Sequence, residues 1–343
     1  MKTVQMNNII TTSFLKRTLT NGLIATALCL GMTSCDISDD NDPVVVVDLP
    51  IEIDGTELMN DIQSNREEAL QTFTIDAGFG GTAIGAQGTN VVFGPNAFVD
   101  ANGDLVTGAV TLELLEVYNK AAMALQRLAT NGKNDNGDVE ALISGGEFFI
   151  RADKDGEEVF PANPFQVFVP SETFDPDMRL FSAEGGCDTL DCEVVWEEDE
   201  EEVMQGEGMG PDGTYVTGYA GFREEFGWTN LDKWYNYAGP KTMIFVDTPE
   251  GYDETNCSVF ISYDGEPGLA LLDIYDEEQG MFTEHYGQLP IGLEVHIIFM
   301  SKQDGDYIYA IQSATIGADH IEVIGATQTA TEAELFALID ALP

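Results

Sequence analysis

Basic residues are scarce in this chain: its 343 residues hold 14 Lys and Arg against 61 Asp and Glu, a formal net charge of −47. A surface of that sign repels phosphate backbones and anionic headgroups, so nucleic-acid binding is excluded. Histidine is scarcer still. The three present, His285, His296 and His320, share no ligand spacing. The five cysteines sit in no Cys/His arrangement of a zinc site, so no metal centre of that kind is expected. No apolar run approaches the ~20 residues that a membrane-spanning helix needs. The nucleophile elbow GxSxG, the metalloprotease HExxH and the phosphate loop GxxxxGK(S/T) are all missing. Gly78-Phe79-Gly80-Gly81 is glycine-rich but lacks the strand-to-helix context that would make it a phosphate cradle. No catalytic residue is therefore expected. A carboxylate pair assembled from distant loops leaves no local signature, and a hydrolase of that kind is the one enzymatic reading left.

What the chain does have begins at its start. Residues 1–34 carry Lys2, Lys16 and Arg17 and no acid, followed by the short apolar run Leu23-Ile24-Ala25-Thr26-Ala27-Leu28-Cys29-Leu30 and by Gly31-Met32-Thr33-Ser34-Cys35. A charged start, a short apolar middle and a small-residue cleavage region make a targeting segment. It resembles a bacterial lipoprotein signal peptide, with Met32 where Leu is usual, and the resemblance implies that Cys35 is the lipidated first residue of the mature chain. The other reading is an ordinary secretory signal with Cys35 as a bystander. Ser38-Asp39-Asp40 looks like the acidic signal that sends Bacteroidota-type lipoproteins to the outer face of the outer membrane, although a solvated acidic tether fits too. The expected partner is thus a membrane, reached through a lipid, with display at the cell surface. Three basic residues and no acid leave with the signal, so 11 basic residues remain against 61 acidic, a net charge of −50.

Residues 35–70 read as an acidic tether with one short helix. From residue 71 onward, short alternating or apolar runs are separated by Gly, Asn, Asp and Pro, as in Val110-Thr111-Leu112-Glu113-Leu114 and Phe165-Gln166-Val167-Phe168-Val169. Only Lys120 to Ala129 has helical spacing before the C-terminus. Glu197-Glu198-Asp199-Glu200-Glu201-Glu202 and the Gly-rich stretch after it read as a solvated linker. From Thr214 strands resume, with Asp304-Gly305 as a hairpin turn. Thr331-Glu332-Ala333-Glu334 is a capping box that opens a terminal helix with Leu335, Leu338, Ile339 and Leu342 on one face. The expected fold is all-β: a β-sandwich domain over 71–181, an acidic and Gly-rich linker over 182–213, and a second β-sandwich over 214–343 that ends in a short helix.

Gly80-Gly81-Thr82, Gly88-Thr89-Asn90-Val91-Val92-Phe93-Gly94-Pro95-Asn96-Ala97-Phe98 and Gly108-Ala109-Val110-Thr111-Leu112-Glu113-Leu114 are similar to the β-sandwich shared by zonula occludens scaffolds, netrin receptors and ankyrins. The likeness spans roughly 71–170, and related segments occur in bacterial surface lipoproteins of unknown role. It implies an interaction module without a cofactor. The self-cleaving His-Phe-Ser sequence of some relatives is not present.

Four sets of candidate residues follow. Cys187 and Cys192, five positions apart beside the turn at Gly185-Gly186, can close a disulfide in an exported protein, leaving Cys257 free. Asp100, Asn102 and Asp104 imitate the first ligands of a calcium loop, but Leu105 and Thr111 stand where Gly and Glu belong; they read as a calcium site or as a plain turn. Calcium is the one cofactor suggested. Trp228, Asn230, Asp232, Trp234 and Tyr235 combine aromatic planes with amide and carboxyl groups, which is what a glycan-binding surface requires; the same rings could instead fill a core. Two functional expectations result. The first is a lipid-anchored, non-catalytic scaffold or adhesion module, and the second a glycan-binding surface protein that uses the Trp228 cluster.

Overall fold

Strands form where the sequence alternates, and the turns between them use Asp, Asn and Gly. The computed structural model describes residues 53–343; Cys35 and the expected signal and sorting segments lie outside them. Val110, Leu112 and Leu114 face the core from the strand Ala109–Val117. Asp304 and Gly305 take φ of 54° and 87° and close the hairpin between Glu294–Gln303 and Asp306–Thr315, as a two-residue turn of this hand requires. Among the described residues three α-helices accompany the strands: α1 (Thr56–Glu68), α2 (Lys120–Gln126) and α3 (Glu332–Asp340). The protein is all-β.

Four sheets pack as two sandwiches. The first sheet runs Gln71–Asp76, Ala109–Val117, Val139–Lys154, Gly227–Trp234, Arg179–Ala183, Trp196–Glu198 and Asn131–Lys133. It faces a second sheet of Met204–Met209, Tyr215–Arg223, Phe165–Pro170, Asn90–Phe93 and Gly81–Ile84. Val91, Phe93, Leu112, Phe148, Phe165 and Leu231 fill the space between them. The other sandwich joins Ile274–Asp276, Met281–Pro290, Lys241–Asp247 and His320–Val323 to a sheet of Leu269–Leu271, Ser258–Tyr263, Glu294–Gln303, Asp306–Thr315 and Gln328–Ala330. Ile244, Val259, Ile261, Val295, Ile297 and Phe299 make its core.

A third core lies between the sandwiches. Phe149, Phe181, Trp196 and Trp228 from the first sheet meet Phe260, Ile298, Met300 and Tyr307 from the last, with Leu58, Ile62, Leu125, Leu335 and Ile339 of the helices among them. The strands Val139–Lys154 and Glu294–Gln303 are therefore buried on both faces, which is why their interior positions run apolar instead of alternating. Hydrogen bonds stitch the halves further. Thr130 N donates to the Leu269 carbonyl (2.8 Å), and Asn131 bonds both polar groups of Leu271 through its side chain (2.8 and 3.0 Å).

The division into two domains is redrawn by these pairings. Residues 215–234, expected in the second sandwich, hydrogen-bond to Phe165–Pro170 and Val139–Lys154 and so complete the first. Within the expected linker, Trp196–Glu198 and Met204–Met209 are sheet strands. Trp196 is the reason: it is fully buried, with its indole N–H on the Ala129 carbonyl (2.9 Å), and it draws the acidic run onto the sheet. Within the expected tether, α1 is packed into the central core through Leu58 and Ile62. α2 stops at Gln126 because Arg127 takes left-handed backbone (φ 48°), shorter than the expected 120–129. The capping box of α3 forms as read, while Leu338 stays exposed.

Candidate functional site

The Trp228 cluster does not form one surface. Strand Gly227–Trp234 is central in its sheet and covered on both faces, so Trp228 is 2% exposed and Asn230 and Asp232 are fully buried. Trp228 packs at a tilt against Phe149 (ring centroids 5.0 Å apart), donates its indole N–H to the Thr189 carbonyl (2.9 Å) and carries the Arg66 guanidinium 5.6 Å from its ring centroid. Trp234 packs edge-on against Phe181 and donates to Glu198. Tyr235 stacks between Tyr263 (5.5 Å) and Tyr237 (6.5 Å). Polar residues next to Trp read as a wet surface in one dimension; the helices and sheet that cover them come from sequence positions far away.

Beneath the cluster lies a closed polar pocket that sequence reading missed. Asn230 stands opposite Glu147 in the strand register. Asp232 accepts from Asn230 Nδ2 (2.7 Å) and Gly145 N (3.3 Å), whereas both Glu147 carboxyl oxygens lack a hydrogen-bond partner. Burial, reinforced by the neighbouring Asp232, raises Glu147 well above the usual carboxyl range, against a weaker pull from Arg66. Burial likewise raises Asp232 far above its ordinary value, although bonds from Gly145, Asn230 and Ser144 oppose it. Both therefore keep their protons to higher pH than a carboxyl in water does. Arg66, itself lowered by burial to about 10, donates to the carbonyls of Gln126, Arg127, Leu190 and Cys192 at 2.7–3.1 Å. It is a core hub that ties α1 to the disulfide loop.

Cys187 and Cys192 are joined in that loop. Cys257 is free and buried, and burial pushes its thiol up. Asp100 spends its carboxylate on its own turn, accepting from Asn102 N (2.8 Å) and Asp104 N (3.0 Å), which holds it below the ordinary range. Asp100, Asn102 and Asp104 therefore sit as an Asx-type turn. Among the described residues no three His, Cys, Asp or Glu side chains come together as a metal site.

An open cleft of about 420 Å³ sits beside the disulfide loop, at the turn between Tyr215–Arg223 and Gly227–Trp234. Such a volume suits a small ligand. Phe160, 37% exposed, stands at its margin; Phe226 and the edge of Trp228 form apolar wall and floor. Phe226 is fixed by Phe165 (5.4 Å), Phe93 and Phe98. Polar arms surround them. Arg223 is clamped by Asp199 and by Ser182 Oγ (2.6 Å) and is nearly buried, whereas Arg151, partly exposed, is paired with Glu113 (2.5 Å). Glu158, Asp188, Glu224 and Glu225 supply acceptors. The turn is shaped by Gly227, whose φ of 107° strains any other residue and whose added Cβ would lie a tight 3.3 Å from the Asp188 Cα. The raised acids Glu147 and Asp232 are not among the residues lining this cleft.

A second, shallower trough of about 1010 Å³ is lined by Glu197, Glu198, Asp199, Glu200, Glu202 and Trp234, with Lys133 and Arg179. The acidic run is thus a wall instead of a free linker. No protein-family model matches the chain, and no curated protein matches it. Among the described residues no helix is long and apolar enough to cross a membrane.

Proposed function

We propose that this protein is a binding module without chemistry of its own, held at a bacterial envelope through a lipid on Cys35 and displayed by way of Ser38-Asp39-Asp40, and that its ligand is the neutral end of a glycan. The cleft carries this reading. Two guanidinium groups can donate, four carboxylates can accept, and Phe160 and Phe226 offer apolar rings. Hydroxyl groups need donors and acceptors together, and the C–H face of a sugar needs an apolar plane. Acids outnumber bases both in the cleft and in the whole chain, which disfavours an anionic ligand. The glycan site is thereby moved from the Trp228 strand to its neighbour, and of the expected five residues only Trp228 lines it.

The test is a panel of neutral and acidic oligosaccharides against the full chain and Phe160→Ala. Neutral glycans should bind, and losing one ring should weaken them by about 2–13-fold, the equivalent of about 0.5–1.5 kcal/mol for a stacked ring. Binding of acidic glycans alone, or an unaffected Phe160→Ala, defeats the reading. Mass spectrometry of the N-terminus tests the anchor, since an unmodified Cys35 removes it.

A further inference from the structure

The edge strand His320–Val323 is turned inside out. The side chains of His320 and Glu322 are only 15% and 21% exposed, and Glu322 accepts from Gln312 Nε2 (2.9 Å) on the facing sheet. Ile321 and Val323 point the other way and are 56% and 54% exposed. A strand whose outer face met only water would carry the opposite alternation, since a one-residue shift exchanges its two faces. The apolar surface continues inward from the edge. Register sets Ile321 beside Phe245, Phe245 beside Thr283 and Thr283 beside Ile274, a row across all four strands of the sheet. Exposed Met243 adjoins it on the same strand as Phe245. Ile321, Val323, Met243 and Ile274 are exposed and Phe245 is half-buried, whereas Thr283 between them is buried; a group of exposed apolar side chains marks an interaction site, whereas an isolated ring such as Phe79 does not.

Two observations say what covers this face. Among the described residues, His320–Val323 is bonded to a neighbouring strand along one side only, the parallel ladder with Lys241–Asp247. Its other edge meets a single side chain, Gln312, which reaches the Val323 carbonyl (3.2 Å). An open edge of that kind is completed by an added strand. Two carboxylates lie on the same face, Asp247 as the register partner of Val323 and Asp276 two residues after Ile274, while the cation Lys241, two residues before Met243, is already paired with Glu140 (3.1 Å). With a net charge of −47, a second copy is repelled and a cationic segment is attracted. We infer that this edge docks a strand of a partner protein in which apolar and basic residues alternate, the apolar ones on Ile321, Val323 and Phe245 and the basic ones on Asp247 and Asp276. This site is separate from the cleft.

The probe is an eight-residue synthetic peptide of alternating Val and Lys, with a Val and Glu counterpart, tested on the full chain. Hydrogen exchange read residue by residue should slow at the amides of Ile321 and Val323 when the Lys peptide is added. Ile321→Thr with Val323→Thr keeps a strand-forming residue at two exposed positions, so the fold survives, and affinity should drop at least tenfold. The Glu peptide should not bind. Absence of protection at this strand, equal binding by the double variant, or binding of the Glu peptide overturns the inference. So does a dimer in sedimentation that the double variant dissolves, which would give the face to a second copy of this chain.

Discussion

Acidification should stabilise this protein, and the buried acids Glu147 and Asp232 should be responsible for a separable share of the effect. In the unfolded chain both release their protons near pH 4, the ordinary carboxyl range. In the fold both stay protonated to higher pH because burial disfavours the anion. The folded state therefore binds more protons than the unfolded state above pH 4. Stability is full below that point and falls as pH rises towards the folded-state values, by about 1.4 kcal/mol per pH unit for each group. Where both windows overlap the slope is about 2.7 kcal/mol per unit. Glu147→Gln with Asp232→Asn removes the titration with little change of shape. Neither Glu147 oxygen has a hydrogen bond to lose, although Asp232 has those from Asn230, Gly145 and Ser144 to preserve. The assay is urea unfolding of both proteins from pH 4.5 to 8. Relief of overall charge repulsion also stabilises at low pH, but it acts on both proteins alike, so the difference between them isolates the pair. The variant should have the shallower slope and be the more stable protein at pH 8. Parallel curves would refute the assignment of raised buried acids.

Other outcomes follow from single contacts. Arg66→Met should lower stability by about 3–5 kcal/mol in urea unfolding, because it strands four carbonyls that one guanidinium now satisfies. Opening the Cys187–Cys192 link with reductant should cost about 2 kcal/mol, the value for so short a loop, seen as a lower melting temperature. Asn119→Ala should cost about 1 kcal/mol through the loss of the cap on Ala122 N. A calcium chelator should leave the melting curve unmoved, since the Asp100 carboxylate already serves its own turn.

Local patterns were legible and long-range cover was not. The strand at 110–114, the Asp304-Gly305 turn and the Thr331 capping box are written in residues a few positions apart, and each appears where it was read. The paired Cys187 and Cys192 are also a short-range feature. Whether a strand with polar residues is wet depends on partners far away in the chain, here some eighty positions and more, so Asn230 and Asp232 looked like a surface and are a sealed interior. Likewise the acidic run 197–202 looked free because nothing near it in sequence reveals that Trp196 is buried against Ala129 or that Asp199 clamps Arg223. The cleft escaped notice for the same reason: Arg151, Phe160, Ser182 and Arg223 come from separate strands and carry no common motif.

Composition and local periodicity alone determined the all-β class, the acidic surface and the places where the chain turns, because side-chain alternation and left-handed turn residues act over a few bonds. The tertiary structure decided which strands share a sheet, which carboxyls are kept from water, and where an open cleft and an open edge survive. Burial and proximity are properties of pairs far apart in the chain, and no segment carries them by itself.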